Sequence, residues 1–293
     1  MLDFRYHALS LVAVFLALAI GIVLGVTIGD SLVSDAERSL RGDLRADVEN
    51  ARGDAAKARA ELAGRDRMLD QIYPTLVATR LAPERVALIS WGSLPNNVEG
   101  GVRDAVSKGG GRLDSISVFD KPLTMLKQAI GKGVFSEETA DEESLRALGR
   151  SLARAIIGVS GGSLMTSLEA SAPDEFAGRF RGADAVAFFE APSPSDGSDG
   201  DGVKERDDDR AKAIEAAMID ELTKQTINVV GVEATNTEPS QISRYKSLKL
   251  SSSDSVDVAG GKLALVFALA GAKGNYGLKS SADQSLPDEA LTP

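Results

Sequence analysis

Apolar positions change their spacing along the chain, and each change predicts a different kind of element. From Ala8 to Gly29 the sequence ALSLVAVFLALAIGIVLGVTIG carries no charge over 22 residues, enough to cross a hydrocarbon core of roughly 30 Å as a helix. A secretory signal has an apolar core of only about 7 to 15 residues and a small-x-small cleavage site. Here the following DSLVSDAE lacks Ala-x-Ala, and no twin arginine precedes the run. The segment 8–29 is therefore expected to remain as a membrane anchor behind an N-terminal tail, residues 1–7.

Within that run Ala13, Ala17, Gly21, Gly25 and Gly29 fall four apart. Gly costs about 1 kcal/mol relative to Ala in an exposed helix interior, so a repeated Gly needs a reason. A small-xxx-small ridge lets two helices approach closely in lipid, where apolar surface alone drives no association. The ridge predicts a parallel dimer interface. Orientation is open on charge alone, because Arg5 precedes the span while Arg38, Arg41 and Arg45 follow it, and a long translocated part overrides such counts.

The next stretch, 31–73, turns to Ala, Arg, Asp and Glu, with apolar residues recurring in steps of three and four. Val48, Ala55, Leu62 and Leu69 take the a positions and Ala51, Ala58 and Ile72 the d positions, interrupted by Arg65. This predicts a two-stranded coiled-coil stalk that continues the anchor dimer. The steps from Ala36 through Leu40 and Leu44 to Val48 are all four, a stutter. Ser34-Asp35-Ala36-Glu37 has the form of a capping box and predicts a fresh helix start. Pro74 predicts its end, about 40 residues and roughly 60 Å further on.

From Glu84 onward strand-like and helix-like segments alternate. RVALISW (85–91), RLDSISVF (112–119), GADAVAFFEA (182–191) and INVVGVEA (227–234) read as strands. NNVEGGVRDAVSKGG (96–110), EESLRALGRSLARAIIGV (142–159) and RAKAIEAAMIDELTKQ (210–225) read as helices, and GKLALVFALAG (261–271) as a final strand or helix. The alternation predicts an α/β class domain over 84–293, Rossmann-like, with a parallel sheet between two helical layers. Its ligand site reads as degenerate. The turn WGSLPNNVEGG lacks the glycine spacing that brings backbone N–H groups to a pyrophosphate, Gly109–Gly111 sits at a helix end, and Gly158–Ser163, GVSGGS, follows a helix. Residues 191–210, rich in Pro, Ser, Gly and Asp, read as a mobile acidic insertion whose register fails as a calcium loop.

Composition removes several functions. The formal net charge of −10 disfavours nucleic-acid backbones as partners. Without Cys there are no thiolate metal sites, disulfides or Cys nucleophiles, and the single His7 precedes the apolar run, which excludes a Ser-His-Asp triad in the body. No catalytic residue, cofactor site or metal site is assigned. Copper favours Cys and Met sulfur or imidazole, and the methionines at 1, 68, 125, 165 and 218 are dispersed along the chain.

Two stretches carry a family resemblance. MLDFRYHALSLVAVFLALAIGIVLG, with Asp3 to His7, and SDSVDVAGGKLALVFALAGAKGNYGLKSSADQSLP, with Leu263 to Leu269, Asn275 to Gly277 and Leu286 to Pro287, resemble the two ends of the mycobacterial copper transport protein B family. The resemblance implies an actinobacterial envelope protein with a cytoplasmic N-terminus, an extracytoplasmic body and a role in copper efflux through an outer-membrane channel. It also implies relatives in corynebacteria that take part in cell-envelope separation as coiled-coil partners of other proteins. On the residues, the expected role is a non-enzymatic, single-pass dimeric scaffold. Its partners would be a second copy, the membrane and another envelope or cell-division protein.

Overall fold

The computed structural model describes residues 4–131, 141–192 and 202–290, leaving aside the side chains of residues 4–5, 26–39 and 202–206. Two compact units divide the chain, Met1–Arg65 and Asp66–Pro293.

The first helix, α1 (Phe4–Val77), overturns two expectations. It has no fresh start at Ser34, and Pro74 lies inside it. Pro removes a single backbone donor, and close to a helix end that loss is small beside the burial it accompanies. Tyr73 and Val77, on either side of Pro74, are buried in the core of the second unit with Leu81. Burying a side chain of this kind contributes about 1.5–3 kcal/mol, so the body begins before residue 84. The surroundings of Gly29 and the side chains of Ser34–Glu37 lie outside what is described, as does the Ala36 end of the stutter.

The body holds a seven-stranded sheet in the order β3-β2-β1-β4-β5-β6-β7. β1 (Arg85–Trp91), β2 (Arg112–Phe119), β4 (Ala185–Glu190), β5 (Asn228–Val232), β6 (Ser251–Ser253) and β7 (Asn275–Tyr276) run parallel. β3 (Phe176–Gly178) closes one edge antiparallel. Period-two alternation divides the strands between two cores. Ala87, Ile89, Trp91, Val186 and Phe188 face one, and Val86, Leu88, Ala185, Ala187 and Phe189 face the other. The fold is thus the expected α/β class, with one antiparallel edge strand.

The first core packs under α3 (Pro122–Ile130), α4 (Glu142–Ile156), α5 (Gly162–Ser171), α6 (Gly202–Lys224) and α7 (Ile242–Ser247); the second under the end of α1, α2 (Asn96–Lys108) and α8 (Ala259–Leu269). The ambiguous segment 261–271 is therefore helix. α4 starts on Asp141, whose carboxylate accepts the Ser144 N–H at 2.8 Å, a standard N-cap. Gly149 then sets the distance to α6, since a Cβ there would lie 2.3 Å from the Ile214 carbonyl oxygen. Of the segment 191–210, residues 193–201 lie outside the described residues, and from Gly202 it is the start of α6, eight residues earlier than the periodicity predicts.

Candidate functional site

In a doubly wound sheet, ligands bind at the carboxyl edge where strand order reverses. Here that point lies between β1 and β4, because β1 pairs with both β2 and β4. The loops leaving the two strands meet closely. Gly92 has φ +104°, and a Cβ on it would fall 2.4 Å from the Ala191 Cβ, so only Gly fits. Beside this contact opens a crevice of about 210 Å³, lined among others by Trp91, Pro122, Glu190, Ala211, Lys212 and Glu215.

Two largely buried carboxylates line it, and one guanidinium pairs with both. Glu190 ends β4, Glu215 lies midway along α6, and Arg244 comes from α7. Arg244 Nε donates to Glu190 Oε2 and its Nη2 to Glu215 Oε2, each at 3.3 Å. Glu215 is fully buried, and its Oε1 has no hydrogen-bond partner. Burial first, and the Glu190 charge second, push its carboxyl up to about 8 despite Arg244. A carboxyl in such a site is a neutral acid at pH 7. Tyr245 fixes the frame, as its hydroxyl accepts the Glu190 N–H at 3.0 Å and donates to the Val232 carbonyl at 3.1 Å. Its ring fills the space over Gly231, where a Cβ would sit 2.4 Å from Tyr245 Cγ.

The neighbouring half of the carboxyl edge is filled by the chain itself. Glu233, after β5, accepts the Ser240 hydroxyl at 2.9 Å and the Gln241 N–H at 2.6 Å, and pairs with Lys279 Nζ at 2.8 Å. Asp254, after β6, accepts the N–H groups of Leu278 and Lys279 at 2.7 and 3.0 Å. Both carboxylates are fully buried and fully engaged, so residues 277–279 occupy the carboxyl ends of β5 and β6.

The glycine-rich segments are structural by their contacts. Gly158 abuts Arg181, whose Cα would be 2.2 Å from a Cβ there, and Gly161 caps α5 with φ +88°. At the start of α2, Pro95 makes no side-chain cap, and Glu99 in the first turn pairs with Arg103. A carboxylate there occupies the position that favours an anion.

The residues singled out by periodicity lie elsewhere, on α1. Ala13, Ala17, Gly21 and Gly25 are exposed, and nothing lies within 4 Å of a Cβ built on Gly21 or Gly25. Val48, Ala51, Ala55, Ala58, Leu62, Leu69 and Ile72 are exposed as well. Tyr6–Gly25 is long and apolar enough to cross a membrane, and none of it is buried. The crevice residues Glu190, Glu215 and Arg244 escape pattern reading. One signal was available: Asp120, Glu190, Glu233 and Asp254 each stand at the carboxyl end of a strand segment, in VFD, FFE, GVE and SSD.

The crevice combines one perturbed acid, Glu215, with a position common to many chemistries, and fold position alone does not name one. No curated protein and no solved structure matches the chain. The family model described as copper transport outer membrane protein, MctB, matches residues 1–287, which takes in the apolar helix, the rest of α1 and nearly all of the sheet domain. The chain belongs to the MctB family of copper transport outer membrane proteins.

Proposed function

We propose that the chain is a single-pass envelope protein. Two copies associate in parallel through the anchor ridge and the α1 seam, and each carries an extracytoplasmic α/β body that binds a protein partner without turnover. The observation that carries this reading is the apolar stripe of α1. Leu40, Leu44, Val48, Leu62, Leu69 and Ile72 are between 39% and 60% exposed in the single chain, and from Val48 onward the heptad spacing is that of a two-stranded coil.

The absence of Cys makes the test direct. With Leu62→Cys as the only thiol in the chain, oxidation in native membranes should give a disulfide-linked dimer, because a positions face each other across a parallel seam. Ala60→Cys, on the outer face, should give little. A purely monomeric product from Leu62→Cys would overturn the dimer.

Copper handling is the second reading, favoured by the family description. The donor set fits it poorly. Met125, Met165 and Met218 are buried in one apolar core, and no group of three His, Cys, Asp or Glu that could hold a metal occurs among the described residues. Under the scaffold reading copper is not a ligand of the body.

A further inference from the structure

The crevice between β1 and β4 has a charge balance that points to a ligand. Glu190 and Glu215 set two largely buried carboxylates against one cation, Arg244, while Asp208 and Lys212 on the rim are exposed. Full ionisation leaves room for one more positive charge. Arg244 cannot supply it, because it already donates to the Oε2 atoms of both glutamates. Burial and the Glu190 charge favour the protonated form of Glu215, and its buried Oε1 has no donor to satisfy it in the ionised form. The walls beside these groups are apolar: Trp91, Pro122, Ala191, Pro192 and Ala211.

We propose that this crevice binds an alkylammonium group, held by the Glu190 carboxylate and charge-balanced by ionisation of Glu215, with the alkyl stem against Trp91, Pro122 and Ala211. Glu190 keeps 14% of its side-chain surface open and is met first. The bound cation offsets the negative field that keeps Glu215 protonated. One ammonium enters and one proton leaves for solvent, so no net charge is buried. A small multidentate metal ion suits the crevice less well, since Arg244 already occupies one oxygen of each glutamate. The ammonium could belong to a small amine or to a lysine side chain of a bound protein.

The inference is independent of the dimer and is tested on the full-length chain in detergent. The probes are n-butylammonium, the capped peptide acetyl-Gly-Lys-Gly-amide and butyrate as the anionic match. Trp91, the one tryptophan of the chain, reports occupancy by its emission, and calorimetry in phosphate and MOPS, neither of them a primary ammonium, separates proton release from binding. We expect saturable binding of at least one ammonium probe at pH 7, with proton release and an affinity that rises from pH 6 to pH 8. Binding of the free amine alone identifies a small-molecule site, and binding of the peptide identifies a lysine side chain; either supports the proposal. Glu190→Gln should weaken binding at least tenfold, and Glu215→Gln, a mimic of the neutral acid, should abolish proton release while keeping the native Trp91 emission. If Glu215→Gln fails to fold, Glu190→Gln and the pH dependence decide. No saturable response to either ammonium probe, an equal response to butyrate, or binding without proton release would overturn it.

Discussion

Tyr73, near the end of α1, donates its hydroxyl to Asp104 of α2 at 2.9 Å, and Asp104 in turn pairs with Lys262 of α8 at 3.0 Å. One carboxylate thus joins three helices on a single face of the sheet. Burial opposes its ionisation, but the Lys262 and Tyr73 hydrogen bonds hold it below the usual carboxylate range. Tyr73→Phe removes one donor and leaves the ring in place. It should lower stability by about 1.5 kcal/mol, the scale of a hydrogen bond to a charged acceptor. Urea unfolding followed by Trp91 emission should show a lower midpoint with an unchanged slope.

Glu215 gives a pH signature of definite sign. Its folded pKa lies above the ordinary carboxylate value, at about 8, so the folded state binds the proton more tightly. The stability this brings is complete below the unfolded value and is lost as pH rises through about 8. Glu215→Gln should match the natural chain in melting temperature at about pH 4, below the unfolded value, and exceed it by several degrees at about pH 8.5, since about 1 kcal/mol corresponds to roughly 2–4 °C in a domain of this size. Equal melting temperatures at pH 8.5 would show that Glu215 ionises without cost.

Gly231→Ala tests the frame of the crevice. The new Cβ would fall 2.4 Å from Tyr245 Cγ, so the ring must shift and its bonds to the Glu190 N–H and the Val232 carbonyl must lengthen. Overpacking of this kind costs about 1–3 kcal/mol. Thermal unfolding should register that loss, and Trp91 emission should shift in the folded state.

In the anchor, Gly21→Leu with Gly25→Leu fills the exposed ridge. Under the dimer reading a two-hybrid assay in membranes should report weaker self-association of the helix, with insertion unaffected. Undiminished association would remove the ridge from the interface.

Met125→Leu, Met165→Leu and Met218→Leu together keep core volume, at under about 1.5 kcal/mol for each swap. Cells relying on the variant should tolerate copper as they do with the natural chain. Lost tolerance in a folded variant would instead assign the thioethers a role in transport.

The strands β1, β4 and β5 are legible in the sequence because each is a largely apolar run bounded by polar residues, which is how a buried parallel strand reads, and β2 is legible by the alternation of Leu113, Ile116 and Val118 with polar residues. β6 is not, since its three residues are serines. They are buried all the same, and Ser253 Oγ donates to the Gly261 carbonyl at 2.8 Å while Ser252 Oγ donates to the Asn275 side chain at 2.8 Å. Hydropathy cannot foresee a polar strand whose partners lie elsewhere in the chain. The glutamates of the crevice are hidden for the opposite reason. Glu215 interrupts AIEAAMI by one residue, and a single acid in a long amphipathic helix reads as part of its solvated face until Arg244 and Glu190 meet it in the fold. Pro74 misled because a local rule lost to burial of Tyr73 and Val77.

The clasp that Lys279 forms across β5 and β6 imposes an order on assembly. A chain made from its N-terminus presents Glu233 and Asp254 before residues 277–279, so both carboxylates remain hydrated until that segment arrives. The far half of the sheet, β5 to β7, then closes after the near half, with residues 277–279 as the segment that completes its carboxyl edge.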